Sequence, residues 1–146
     1  MAVYWILDTE GNPLLREVAI VDLRGNLVYE ARVGRTRQTK TLRSIIQELT
    51  HFQGTWIFHY AEHDRQILQN SYAHVGIHWP NPDILCTWEI AKQLLPELPS
   101  YSLEYLCKHL NLKVQNQRFN PQLAHVARYD ALFTYQLYSR LALMDH

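Results

Sequence analysis

Val3-Tyr4-Trp5-Ile6-Leu7-Asp8-Thr9-Glu10 is the stretch that decides how this chain folds. Val3 to Leu7 is a continuous apolar run of strand length, which predicts a strand covered on both faces and central in its sheet. Asp8 and Glu10 follow at its end, two residues apart, so both side chains point to one face, about 6 to 7 Å apart at the backbone. Gly11, Asn12 and Pro13 then break the strand. Glu17 to Leu23 and Leu27 to Val33, joined through Arg24-Gly25-Asn26, read as two further strands of an antiparallel meander.

Beyond the meander the hydrophobic period changes. Leu42, Ile45, Ile46, Leu49 and Phe52 keep helical spacing, and Gly54 separates that helix from a β-rich run, Thr55 to Phe58. Ala61 to Ala73 predicts a second helix, ending near Asn70 to Tyr72. Pro80-Asn81-Pro82 is a loop. Asp83 to Cys86 reads as a short edge strand and Thr87 to Leu95 as a helix closed by Pro96 and Pro99. Leu103, Leu106, Cys107 and Leu110 mark another helix, with Ser100 or Ser102 as its cap. A last helix carries Leu137, Leu141 and Met144. The order predicts an α/β fold, a mixed sheet with helices packed on it, and 146 residues make it a single domain, 1–146.

With 47% apolar and 19% charged residues the chain is globular rather than disordered. Its apolar runs are too short to span a bilayer. The first residues lack the basic start and cleavage site of a signal peptide, so the expected location is cytoplasmic. Cys86 and Cys107 lack metal-ligand spacing and read as buried free thiols. The 14 basic side chains balance the 14 acidic ones, which argues against gripping duplex DNA by bulk charge. Arg32, Arg35, Arg37, Lys40 and Arg43 nevertheless cluster with no acidic residue among them. They read either as a solvated face or as contacts to a phosphate backbone.

Asp64 shares a helical face with Ala61 and Leu68, and Asp130 lines up with Thr134, Leu137 and Leu141. Both aspartates thus project from buried stripes, where a carboxylate is costly unless paired, hydrogen-bonded or bound to metal. His125 precedes Asp130 by five positions, a rotation of about 140° if both were helical. They meet only if the helix starts after His125, and Asn120-Pro121 offers a competing start. Taken singly, each residue also fits a plain structural role: turn former, surface aspartate, loop histidine. His59 and His63 have the spacing of a zinc pair on a helix, but no third ligand is evident. Oxygen ligands with few histidines favour Mg²⁺ or Mn²⁺.

Taken in order, Leu7-Asp8-Thr9-Glu10, His59-Tyr60-Ala61-Glu62-His63-Asp64 and His125-Val126-Ala127-Arg128-Tyr129-Asp130-Ala131 resemble the three motifs of the DEDDh 3'-5' exonucleases. The resemblance implies a ribonuclease H-like fold, a meander extended by parallel strands with helices on both faces. It implies that Asp8, Glu10, Asp64 and Asp130 hold two divalent cations, Mg²⁺ or Mn²⁺, and that His125 is the general base. Thr9, Gly11, Tyr60 and His63 would meet the substrate, a nucleic acid with a free 3' end, preferably single-stranded. Tyr60 and His63 replace the family's usual asparagine and aromatic residue, and Gly11-Asn12-Pro13 stands where threonines and a glycine are usual. A non-catalytic binding module on the same fold and a hydrolase of very short oligonucleotides are the alternatives. Whether the chain dimerises or joins a partner subunit is left open.

Overall fold

The computed structural model describes residues 2–145. Its main sheet has five strands: β1 (Tyr4–Gly11), β2 (Leu15–Val21), β3 (Leu27–Arg32), β4 (Thr55–Phe58) and β5 (Ile84–Cys86). Their order is β3-β2-β1-β4-β5, so the apolar run at the start of the chain is the central strand, as its composition predicts. β1 is antiparallel to β2, and β2 to β3, whereas β4 and β5 run parallel to β1. Five helices complete the fold: α1 (Gln38–Leu49), α2 (Ala61–Val75), α3 (Thr87–Leu94), α4 (Leu103–His109) and α5 (Ala127–Met144). Among the described residues, no helix is long and apolar enough to cross a membrane.

Strand alternation divides the core. Leu7, Leu15, Val18, Ile20, Trp56 and Phe58 pack against α1 and α2 on one face. Ile6, Ala19, Val21 and Ile57 meet Ala127 and Ala131 of α5 on the other. The small side chains of α5 let it approach the strands closely, and its outer side packs on residues of α3 and α4 around Ala91, Leu106, Phe133 and Leu137. Ile6, Asp8 and Glu10 therefore share the α5 face, and Leu7 and Thr9 the α2 face.

Several boundaries differ from the sequence expectation. β2 begins at Leu15 and ends at Val21, because Asp22 and Asn26 close the hairpin through backbone and side-chain hydrogen bonds. α2 runs on to Val75 and stops at Gly76, whose φ of 72° is the left-handed helix end that glycine favours. Asn70 does not end it. Its side chain instead accepts from Gln66 and donates to the Pro13 carbonyl. α1 stops at Leu49, and Phe52 packs outside it on Trp5 and Tyr29. A small hairpin of β6 (Lys113–Val114) and β7 (Gln117–Arg118) was not expected.

The turn after β1 is tied down from α2. The buried Ser71 hydroxyl donates to the Ile67 carbonyl at 2.7 Å and accepts from the Leu15 N–H at 2.9 Å. Ser71→Ala leaves the Leu15 donor unpaired, and an unmade buried hydrogen bond costs about 1–3 kcal/mol. Urea unfolding should register a loss of that size, and an unchanged midpoint would show that the tie contributes nothing.

Candidate active site

β1 outruns β4, which pairs with it only from Tyr4 to Ile6. Past that point the β1 edge is free to meet side chains. Thr9 gives both its N–H (3.1 Å) and its hydroxyl (2.5 Å) to Asp64 Oδ1, anchoring the first turn of α2 to the end of β1. Thr9 is buried, so its side chain is committed to Asp64. Tyr60 stands at the α2 N-terminus with a left-handed φ of 62°, and the Ala61 N–H donates to Cys86 Sγ at 3.3 Å.

Asp130 lies in the first turn of α5, as Asp64 does in α2, so each carboxylate sits at the positive end of its helix. Asn120 caps a 3-10 turn, Pro121–Leu123, and α5 starts only at Ala127. His125 is thereby left on an exposed connection with φ 66°. Its main-chain N–H donates to Asp130 Oδ2 at 3.0 Å, so the two residues face one place, as the motif spacing requires. No side chain within α5 caps it. Instead Glu17 of β2 accepts from the Ala127 N–H at 2.5 Å while also pairing with Arg32 at 2.7 Å.

The structure brings Asp8, Glu10, Asp64, His125 and Asp130 together. Ligating atoms of Glu10, His125 and Asp130 lie within 4.8 Å of one another, the one such group found among the described residues. Asp8 sits against Glu10, Asp64 and Asp130. Its carboxyl is held well above the usual range, first by burial and then by those three charges. Burial also pushes Asp64 up to about 7, although the two bonds from Thr9 oppose the shift, and raises Asp130 to about 6 against the bond from His125.

Asp8 Oδ2 and Asp130 Oδ1 are buried with no hydrogen-bond partner. Unspent buried oxygens in a set of carboxylates and one imidazole are what a hard divalent cation needs, and the donor set fits Mg²⁺ or Mn²⁺.

His59 and His63 are not brought together as a metal pair. Burial lowers His59 to about 4, and its ring is engaged by Thr87 Oγ1 and the Tyr101 carbonyl, both at 2.8 Å. His63 is exposed on α2. Gly11 has φ 145°, and a Cβ there would lie 2.1 Å from the Leu14 carbonyl oxygen, so the turn itself requires glycine. Tyr60 is 50% exposed and stands edge-on to Trp88 with ring centroids 5.4 Å apart. Cys86 and Cys107 are free thiols, and burial raises Cys107 to about 12. Glu17 is a further residue that serves the site, and its place opposite Arg32 in the hairpin register is an ion-pair signal.

The family model described as Exonuclease (RNase T) matches residues 17–138, which takes in Asp64, His125 and Asp130 and begins after Asp8 and Glu10. No curated protein matches the chain significantly. Among solved structures the chain is similar to Exonuclease X in complex with 5' overhanging duplex DNA, with 23% identity and a TM-score of 0.65 over 97% of this chain and 92% of that one. That likeness is one of fold: a mixed sheet with helices on both faces, in the ribonuclease H-like manner expected from the motifs.

The raised carboxyls set the sign of the pH dependence. A carboxyl with a raised folded pKa binds its proton more tightly folded than unfolded. Stability is then fully present below the unfolded value, near 4, and is lost as pH rises through the folded values of about 6 and 7. In chelator, the protein should melt lower at pH 7.5 than at pH 5. Asp8→Asn should flatten that dependence and match or exceed the wild type at pH 7.5, by on the order of 2–4 °C for each kcal/mol of repulsion relieved. A melting temperature that rises with pH, with Asp8→Asn less stable, would mean ordinary salt-bridged carboxylates.

Proposed function

The chain belongs to the RNase T exonuclease family, and from that premise we propose that residues 1–146 form a single DEDDh-type 3'-5' exonuclease domain. It hydrolyses phosphodiester bonds at the 3' end of single-stranded DNA or RNA. The observation that carries this reading is the convergence of Glu10, His125 and Asp130, with Asp8 and Asp64 beside them, in a place where two buried carboxylate oxygens have no protein partner. Nucleic acid as the substrate class is supported by the DNA held in the similar Exonuclease X structure. Single-stranded ends are supported by a formal net charge of zero, which gives little bulk attraction for a duplex.

Bound by Asp8, Glu10, Asp64 and Asp130, two divalent cations would lower the proton affinity of water and steady charge on the leaving 3' oxygen. The protein's own groups do the rest. His125, exposed beside Glu10 and Asp130, takes the proton from the attacking water. Its main-chain bond to Asp130 keeps the imidazole next to the carboxylates. Thr9 fixes the carboxylate of Asp64, and Glu17 fixes the start of the helix that carries Asp130. Tyr60, backed edge-on by Trp88, offers the terminal base a stacking face, with exposed His63 on the following turn of helix.

A 5'-labelled single strand should yield a ladder shortened from its 3' end, absent in chelator and restored by Mg²⁺ or Mn²⁺. Asp8→Ala should abolish the ladder. His125→Ala should slow it by about 10² to 10⁴ while calorimetric metal affinity changes little. Release from the 5' end or cutting of a circular strand would sink the direction, and a large loss of metal affinity in His125→Ala would make that residue a ligand instead of the base.

A further inference from the structure

A cleft of about 410 Å³ opens directly from the candidate site, with Glu10 and His125 at its inner end. Its size falls within the roughly 300–1,000 Å³ of ordinary ligand clefts. Arg16 of β2, Arg32 of β3 and Arg35 of the turn into α1 supply the charge along it, and Glu17 is the other acid. Glu17 is already spent. It holds the Arg32 guanidinium through Nε at 3.0 Å and Nη2 at 2.7 Å, and its other oxygen takes the Ala127 N–H. Among the described residues neither Arg16 nor Arg35 has a carboxylate within ion-pair distance. Both side chains are exposed. The turn that carries Arg35 is closed by Gln38, whose side chain donates to the Gly34 carbonyl at 3.2 Å.

The cleft therefore has an acidic end at Glu10 and an uncompensated cationic wall leading away from it. Tyr60 and His63 do not line it, and His125 is the one ring in its lining among the described residues. Its chemistry suits phosphates rather than bases, whereas the exposed Tyr60 ring suits a base. Arginine presents a planar fork of donors that matches phosphate oxygens.

We propose that this cleft holds the backbone of the substrate strand on the 5' side of the bond to be cut, with Arg16 and Arg35 each on a phosphate. The assignment rests on the exonuclease reading above for its polarity. Arg32 is not counted, because Glu17 occupies it. Of the basic run noted in the sequence, only Arg32 and Arg35 line the cleft, while Arg16 lies outside that run.

The test is fluorescence anisotropy of a 5'-labelled 12-nucleotide oligothymidylate, titrated with protein at several salt concentrations in chelator, so that nothing is cut. For single strands each phosphate contact contributes about 0.7 to the slope of log affinity against log salt. Arg16→Ala with Arg35→Ala should reduce that slope by about 1.4, the paired lysine variants should keep it, and Arg24→Ala, outside the cleft, should leave it alone. Dithymidine monophosphate, whose only phosphate is the one to be cut, should compete equally well for wild type and the double alanine variant. A double variant that keeps the wild-type slope, an Arg24→Ala variant that loses as much, a wild type that does not bind, or weaker competition by the dinucleotide in the double variant would each overturn the assignment. A protein that binds as described but fails to shorten strands with Mn²⁺ would sink the exonuclease reading and leave the cleft as a strand-binding site. One that shortens strands with an unchanged slope would do the reverse.

Discussion

Four carboxyl groups of one sign are gathered in one place, Asp64 and Asp130 buried and Asp8 and Glu10 half-buried, and the rest of the fold is arranged around that cost. Burial and mutual repulsion both favour the protonated forms, which is why Asp8, Asp64 and Asp130 are all shifted upward. Ordinary devices for holding buried acids are present only in part. Thr9 satisfies one oxygen of Asp64 and the His125 N–H one oxygen of Asp130, yet Asp8 and Asp130 each keep a buried oxygen without a partner. A cluster serving stability alone would gain from pairing or apolar replacement. Leaving it under-satisfied makes sense if cations complete it.

Three features of the sheet hold the cluster in place. Alternation along β1 sends Asp8 and Glu10 toward α5, and the alanines of α5 bring Asp130 close to them. The shorter β4 leaves the end of β1 open on its other edge, so α2 can lean in and present Asp64 to Thr9. Glu17, one strand over, takes the free N–H of Ala127 and so replaces the side-chain cap that α5 lacks. The same glutamate neutralises Arg32, which leaves Arg16 and Arg35 as the free cations of the adjoining cleft.

What could be read from the sequence followed from local period and residue type. The apolar run of β1 announced a central strand, Thr55 to Phe58 appeared with its observed bounds, and the buried stripes carrying Asp64 and Asp130 are buried in the fold. The start of α5, for which the sequence offers two candidates, is decided by the backbone: Asn120 caps only the 3-10 turn, and the chain turns left-handed at His125 before the helix begins. What stayed hidden was non-local. Nothing in the spacing of Glu17 and Ala127, 110 positions apart, foretells their bond. The β6–β7 hairpin has two-residue strands and a Gln115-Asn116 turn without glycine, so it lacks the usual turn signature. His59 read as a ligand candidate because its partners, Thr87 and Tyr101, come from distant segments. Arg16 carries no signal of its own in the sequence, and only the position of the cleft gives it a role.

Thermal melting of the wild type at pH 7.5, in chelator and then in Mn²⁺ at 100 times its dissociation constant, tests the central claim that cations complete the carboxylate cluster. Binding to the folded state alone should add about 2.7 kcal/mol, a rise on the order of 4 °C or more, and Asp8→Asn should lose most of that response. A wild type that melts at the same temperature with and without the metal, while Asp8→Asn melts early in both, would contradict the account.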